Sequence, residues 1–404
     1  MHKLSSTHTW LRRPIRLAIC LMLTVVWLTQ CVNNKDKKQD GNSIAQQGLS
    51  ATYAGDEKCM SCHESYAKDH IQSAHHFASA LPSDSTILGS FKEGENSYRF
   101  SARLKMMMER KGDSFMQTAY LAGEPKETRA ISLVFGSGIK AQTFAAWQGE
   151  RLFQLPITYF SLAHQWSNSP GFPNKAVFNR PITARCMECH TTYAQIVSPP
   201  GEEPERFNRS NIITGISCEK CHGPAAEHVA YHNANTADTV ARNIINPAIF
   251  TRQQKLDMCG LCHGGELKRT SPPFSFQSGD LLSAHFNLDS IQRNPLAMDV
   301  HGNQLGMLSA SKCFTASDMT CNSCHDPHKN ERGKLEIFSQ RCMSCHGQAK
   351  QVKCKLSTTM GAIIQKNCID CHMPKEKSRA VALQLQGLDV PTVAELRSHL
   401  VKRK

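Results

Sequence analysis

The chain has 404 residues, enough for two or three domains of ordinary size. Its hydrophobic fraction is ordinary at 40%, aromatics are few at 7%, and the formal charge is +13. Part of that charge (Lys3, Arg12, Arg13, Arg16) lies in a targeting segment, so the excess does not mark a nucleic-acid binder.

Residues 1–31 read as an export signal: a basic start, an apolar run over 17–27, then Leu28-Thr29-Gln30-Cys31. That tetrad is similar to a lipoprotein box with Cys31 as the lipidated residue, although Gln30 stands where a small residue is usual. An uncleaved anchor over 15–32 and an ordinary cleaved signal are the alternatives. Each of them puts the rest of the chain outside the cytoplasm. Residues 32–52 turn polar at once and read as a flexible tether.

The segment 53–81 opens with Cys59-Met60-Ser61-Cys62-His63. The same Cys-x-x-Cys-His spelling recurs with Cys186, Cys189 and His190; Cys218, Cys221 and His222; and Cys259, Cys262 and His263. It returns with Cys321, Cys324 and His325; Cys342, Cys345 and His346; and Cys368, Cys371 and His372, seven copies in all. This spacing attaches c-type haem: two thiols bond the porphyrin and the next residue ligates the iron. Zinc ribbons do not demand a histidine directly after each pair, and a disulfide framework would not fix every spacing. Seven covalent haems, each carrying about −1 when ferric with ionised propionates, offset most of the remaining basic excess. After the first motif, 64–80 lacks Gly and Pro and predicts a helix.

The stretch 82–181 carries no motif and reads as strands. Residues 105–110 and 114–120 flank Lys111-Gly112-Asp113, and 144–147 and 151–155 flank Gln148-Gly149-Glu150, two hairpin signals. The other motifs crowd into 182–404, which reads as a hexahaem domain. Thr392 after Pro391 predicts a late helix that would carry His399. With haem replacing much of the apolar core, the expected fold is a mainly α multihaem cytochrome with long loops, little regular structure and one β-rich haem-free segment. Of the cysteines outside motifs and signal, Cys313 and Cys354 are candidates for a disulfide or for two buried thiols.

The far face of each iron decides its chemistry. Ten histidines lie outside the signal and the motifs. His328 sits too close to His325 to reach the same iron and should serve a neighbouring haem. His228 follows the turn after His222, and His232 shares its helical face one turn on. Gly302 lets His301 approach closely, and His75, His70 and His399 complete the candidate distal set. His76 ranks behind them, while His164 and His285 read as loop histidines.

Several stretches resemble the multihaem cytochromes of the cytochrome c-552/4 group, related to cytochrome c-554, hydroxylamine oxidoreductase and pentahaem nitrite reductase. They include Ser73-Ala74-His75, Phe135-Gly136-Ser137-Gly138, Ser169-Pro170-Gly171-Phe172, Gly215-Ile216-Ser217-Cys218, His301-Gly302-Asn303-Gln304 and Cys324-His325-Asp326-Pro327-His328. The resemblance implies closely stacked haems in a mainly helical scaffold, and implies His75, His228, His301 and His328 as distal ligands. It departs from the catalytic members: no motif ends in Lys, and no tyrosine is marked for cross-linking to haem. The expected function is electron transfer between redox proteins, or with a quinol-linked membrane complex, at a lipid-anchored position in the bacterial periplasm. An oxidoreductase acting on nitrite, hydroxylamine or tetrathionate is the alternative.

Overall fold

The computed structural model describes residues 52–288, 294–347, 354 and 356–402. The export signal, Cys31 and all but the last residue of the expected tether lie outside them. Among the described residues, no helix is long and apolar enough to cross a membrane.

The haem-free segment builds two antiparallel sheets. One is a four-stranded meander of Ser97–Arg99, Leu104–Lys111, Ser114–Leu121 and Glu124–Ala130. Its central hairpin closes at Lys111↔Ser114 over Gly112-Asp113. Gly112 has φ +58°, a backbone state that glycine adopts without penalty in tight hairpins. Along Leu104–Lys111 burial follows the period of two, and Met106 and Met108 are both fully buried.

The other sheet has seven strands. Its main path is Ser79–Ala80, Leu133–Phe135, Ala141–Gln148, Arg151–Gln154 and Arg180–Pro181. Ile157–Phe160 also pairs with Ala141–Gln148 and carries Gln165–Asn168 on its other edge. The expected second hairpin is present, closing at Gln148↔Arg151.

The two sheets share one core. Tyr98, Met106, Met108 and Phe115 from the meander pack with Val134, Phe144, Ile157 and Trp166 from the larger sheet. The larger sheet's opposite face supplies Leu133, Phe135, Ala145 and Leu152 to a second cluster. That cluster also holds Ala184 and Met187, in the helix bearing the second motif, and Ala194 and Phe207 from the hairpin Thr191–Ile196/Phe207–Thr214. The β-rich segment is therefore the floor on which the second motif is seated.

The mainly α expectation is overturned: the chain is mixed, 28% helical and 26% strand, with several antiparallel sheets. Helices are short and centre on motifs, and sheet extends into the haem-bearing half. The late helix expected from Thr392 is the strand Thr392–Arg397, paired with Lys375–Leu383. Pro391 and Thr392 mimic a helix start, but pairing with the preceding strand satisfies the same backbone groups and buries Ala394 against Leu383. The helix expected over 64–80 stops at His70, and Ser73 accepts from the His76 amide. A side chain competing for backbone donors favours such a break.

Candidate haem centres

The motifs lie on helical turns. They occupy Asp56–Cys62, Ala184–His190, Cys218–His222, Arg252–His263, the 3-10 turn Cys321–Ser323, Leu335–His346 and Ile369–His372 with Cys368 as its cap. Spacing of three residues puts both thiols on one face, and the following histidine emerges beside them. Cys62 and Cys345 are exposed and the other motif cysteines are half-buried. The fourth motif ends the best-formed helix, which starts with a capping box between Thr251 and Gln254.

Thiols of different motifs meet. Cys59 hydrogen-bonds Cys218, Cys189 bonds Cys262, and Cys259 bonds Cys321. Burial pushes the Cys342 thiol up to about 11, with Cys324, Cys368 and Cys313 adding to the shift. Motifs one and three, two and four, and four and five are thus neighbours, and five, six and seven cluster together. Cys313 stands half-buried among them, while Cys354 is exposed.

Two imidazoles bonded to opposite faces of one iron, at about 2 Å per metal–nitrogen bond, have ring centres roughly 6.3 Å apart. Five histidine pairs show this spacing, and one of them, His70 with His76 at 6.3 Å and edge-on, lies wholly outside the motifs. His63 and His228 are 6.5 Å apart and stacked, His222 and His328 6.0 Å and stacked, and His325 and His399 6.2 Å and stacked. His75 and His263 are 6.1 Å apart with tilted planes. Each of these four pairs joins one motif histidine to one outside the motifs. His301 lies within electrostatic reach of His190 and His263.

The ring nitrogens are oriented for a metal. The Nδ1 atoms of His190, His222, His228 and His372 lie 3.1, 3.0, 2.7 and 2.8 Å from the carbonyl oxygens of Ala78, Ile245, Arg242 and Lys402. A carbonyl only accepts, so Nδ1 carries the proton and the Nε2 lone pair is left for iron. His263 Nδ1 meets the Gln304 side chain at 3.0 Å. Burial pushes His75 and His399 down to about 4, with neighbouring histidines adding to the shift. Such lowering keeps an imidazole neutral, the form that binds metal. The His75 and His325 side chains remain accessible to water. The residues present therefore fit covalently held haem.

The other candidates are placed differently. His70 directs Nε2 to the Ile216 carbonyl at 3.0 Å. His232 packs its ring 4.6 Å from His228. His285 is engaged on both nitrogens, by Ser271, Ser275 and Asp280, as a loop histidine would be.

The sequence reading overlooked the residues inside the motifs. Glu219, between Cys218 and Cys221, is 3% exposed and accepts the amides of Ala54, Gly55 and Ala225 at 2.8, 2.9 and 2.8 Å. Glu188, between Cys186 and Cys189, accepts the Phe274 amide at 2.9 Å and pairs with Arg269 and Arg185 at 3.3 and 3.5 Å. A carboxylate between two apolar-seeking thiols was the available signal. Gln304 was legible only as the residue three after His301.

Residues 163–223 match the family model described as cytochrome c554 and c-prime. With the repeated attachment motif and the curated relative below, this supports a multihaem c-type cytochrome with covalently attached haem. Among curated proteins it is similar to the multiheme cytochrome MtrA of Shewanella baltica (strain OS185), 22% identical over 184 residues. That alignment covers 42% of this chain and 54% of the relative, so the chain spans about half the length of the curated relative it matches. Among solved structures it overlaps the outer cell wall cytochrome OcwA with a TM-score of 0.49 at 15% identity, covering 87% of this chain and 79% of that one.

Proposed function

We propose that the chain holds seven haems, one per motif, and passes single electrons between them on the periplasmic side of a bacterial envelope. The iron supplies one-electron redox chemistry; the protein supplies ligands, spacing and orientation. In this reading His228 completes the first centre, His301 the second, His328 the third, His75 the fourth and His399 the fifth. The pairing of His75 with His263 leaves His301 to His190. The carrying observation is that four motif histidines each face a histidine from a separate part of the chain at 6.0 to 6.5 Å. The thiol contacts support a branched path, with the fourth motif as the junction between the second and the fifth. Export and lipidation at Cys31 would hold the chain at a membrane, where a redox protein or a quinol-linked complex exchanges electrons with it.

Intact mass and redox titration test the reading together. Seven additions of roughly 0.6 kDa should raise the processed chain by about 4.3 kDa, and reduction should proceed in several overlapping one-electron steps. A much smaller mass excess, or absorbance that reductants leave unchanged, refutes it.

A further inference from the structure

Two of the thiol contacts between motifs carry opposite charge. Where the first and third motifs meet, the nearby groups are carboxylates. Asp56 accepts the Cys218 amide at 3.3 Å. Glu219 accepts the Gly55 amide at 2.9 Å, and the Gly55 carbonyl lies 3.6 Å from the Cys59 sulfur. Among the described residues, His76, 3.6 Å from Asp56, is the one basic side chain in an ion pair with either carboxylate. Where the second and fourth motifs meet, cations prevail. The Arg185 guanidinium donates to the Leu261 carbonyl at 2.6 Å, and the Cys189 sulfur lies 3.8 Å from that same oxygen. Lys220 donates to the Thr192 carbonyl at 3.3 Å and lies within electrostatic reach of Cys189 and Cys262. Glu188 is shared by Arg185 and Arg269, and Glu205 pairs with Arg269, so three cations face two carboxylates.

Reduction adds one negative charge to a haem, so a neighbouring cation favours the ferrous form and a neighbouring carboxylate the ferric form. Arg185, Asp56 and Glu219 are largely shielded from water, where salt screens charges least. Resting on the seven-haem reading, we infer that these charges give electron flow a direction: the first haem is a low-potential centre, the third is intermediate, and the second and fourth are high-potential centres that receive its electrons. In that reading these four irons share the same two-histidine ligation, so axial ligand type does not separate them and charge does. The third motif is the link. Its inner residues face opposite ways, Glu219 towards the first motif and Lys220 towards the meeting of the second and fourth. Cys221 lies within electrostatic reach of Cys259 and Cys262, which makes the third and fourth motifs neighbours.

The test is spectroelectrochemical titration of the full holoprotein, with seven haems first verified by mass. Arg185→Met should lower the potential of one or two components, and Asp56→Asn should raise one or two. Each shift should be roughly tenfold in ferric-to-ferrous ratio, about 59 mV for a one-electron couple. In the parent, the components that Arg185→Met moves should lie above those that Asp56→Asn moves. Arg185→Lys keeps the charge and should leave the titration in place, while combining Arg185→Met with Glu188→Gln removes one charge of each sign and should restore most of the shift. Lys220→Met should act in the direction of Arg185→Met, and Glu219→Gln in that of Asp56→Asn, so the order can be read even where one variant fails to fold. Unmoved potentials, shifts of the same sign at both contacts, Arg185→Lys behaving like Arg185→Met, or a reversed order in the parent each overturn the inference. A mass showing fewer than seven haems instead overturns the reading on which it rests.

Discussion

Glu219→Ala would detach the first haem segment from the third motif. The buried carboxylate receives three backbone amides, from Ala54, Gly55 and Ala225. A hydrogen bond to a charged group contributes about 1.5–3 kcal/mol, and a buried donor left without a partner costs about 1–3 kcal/mol. The three bonds share one acceptor group, so their losses do not add fully. The substitution should cost about 3–5 kcal/mol, a large share of the roughly 5–15 kcal/mol that stabilises an ordinary domain. Glu219→Gln keeps the volume and one oxygen, and should lose about half as much. Urea denaturation of the holoprotein reads the total, and amide exchange at Ala54 and Gly55 reads the location. Because those amides tether the helix Asp56–Cys62 that carries His63, the reduction potential of one haem should move with them. A loss below about 1 kcal/mol, with exchange at Ala54 and Gly55 unchanged, refutes the clamp.

Phe144 is fully buried between the two sheets, so Phe144→Ala should cost about 3–5 kcal/mol in denaturant midpoint while leaving haem content intact. The Arg341 guanidinium, bonded to both Glu331 oxygens at 2.6 Å, holds that carboxyl below its ordinary value of 4.5. Its contribution is full above the unfolded value and is lost as pH falls through the depressed one. Stability measured from pH 7 downward should therefore drop more steeply in the parent than in Glu331→Gln; equal slopes refute the pairing. Gln304→Leu removes the partner of His263 Nδ1 and should shift one haem's potential in spectroelectrochemical titration, leaving the others in place.

The attachment motifs were fully legible because covalent chemistry fixes their spacing locally. So was the hairpin around Gly112, where a turn residue and alternating burial coincide within one short window. The helix expected at Thr392 is the strand Thr392–Arg397 because the core that holds it and the preceding strand, around Leu383 and Phe160, draws on the distant haem-free segment. The histidine pairings were legible only in part. His328 and His228 stood out by position after a motif, but which motif each faces depends on how separate helices come together. The four-stranded meander and the larger sheet share a core centred on Phe144, which no period within a single strand reveals.

The two residues inside each Cys-x-x-Cys pair explain how a chain with so little regular structure can hold its centres in fixed positions. Haem attachment fixes the cysteines and the histidine, so only the inner positions are free to serve the fold. In the second motif Met187 enters the apolar cluster beneath the sheet and Glu188 anchors Phe274 and two arginines. In the third, Glu219 binds the first segment, while Lys220 reaches the Thr192 carbonyl across the Phe274 ring. In the fourth, Gly260 lies where an added Cβ would meet Leu305 at 2.9 Å, and Leu261 is buried. These three motifs are locked from within by packing, ion pairs and backbone amides. The inner residues of the fifth, Asn322 and Ser323, are exposed, as are Ser61 of the first and Ser344 of the sixth. The seventh motif is held likewise, with Ile369 buried and Asp370 paired with Arg397 at 2.6 Å, so inner-residue anchoring serves the second, third and fourth motifs, at the junction of the proposed electron path, and the seventh.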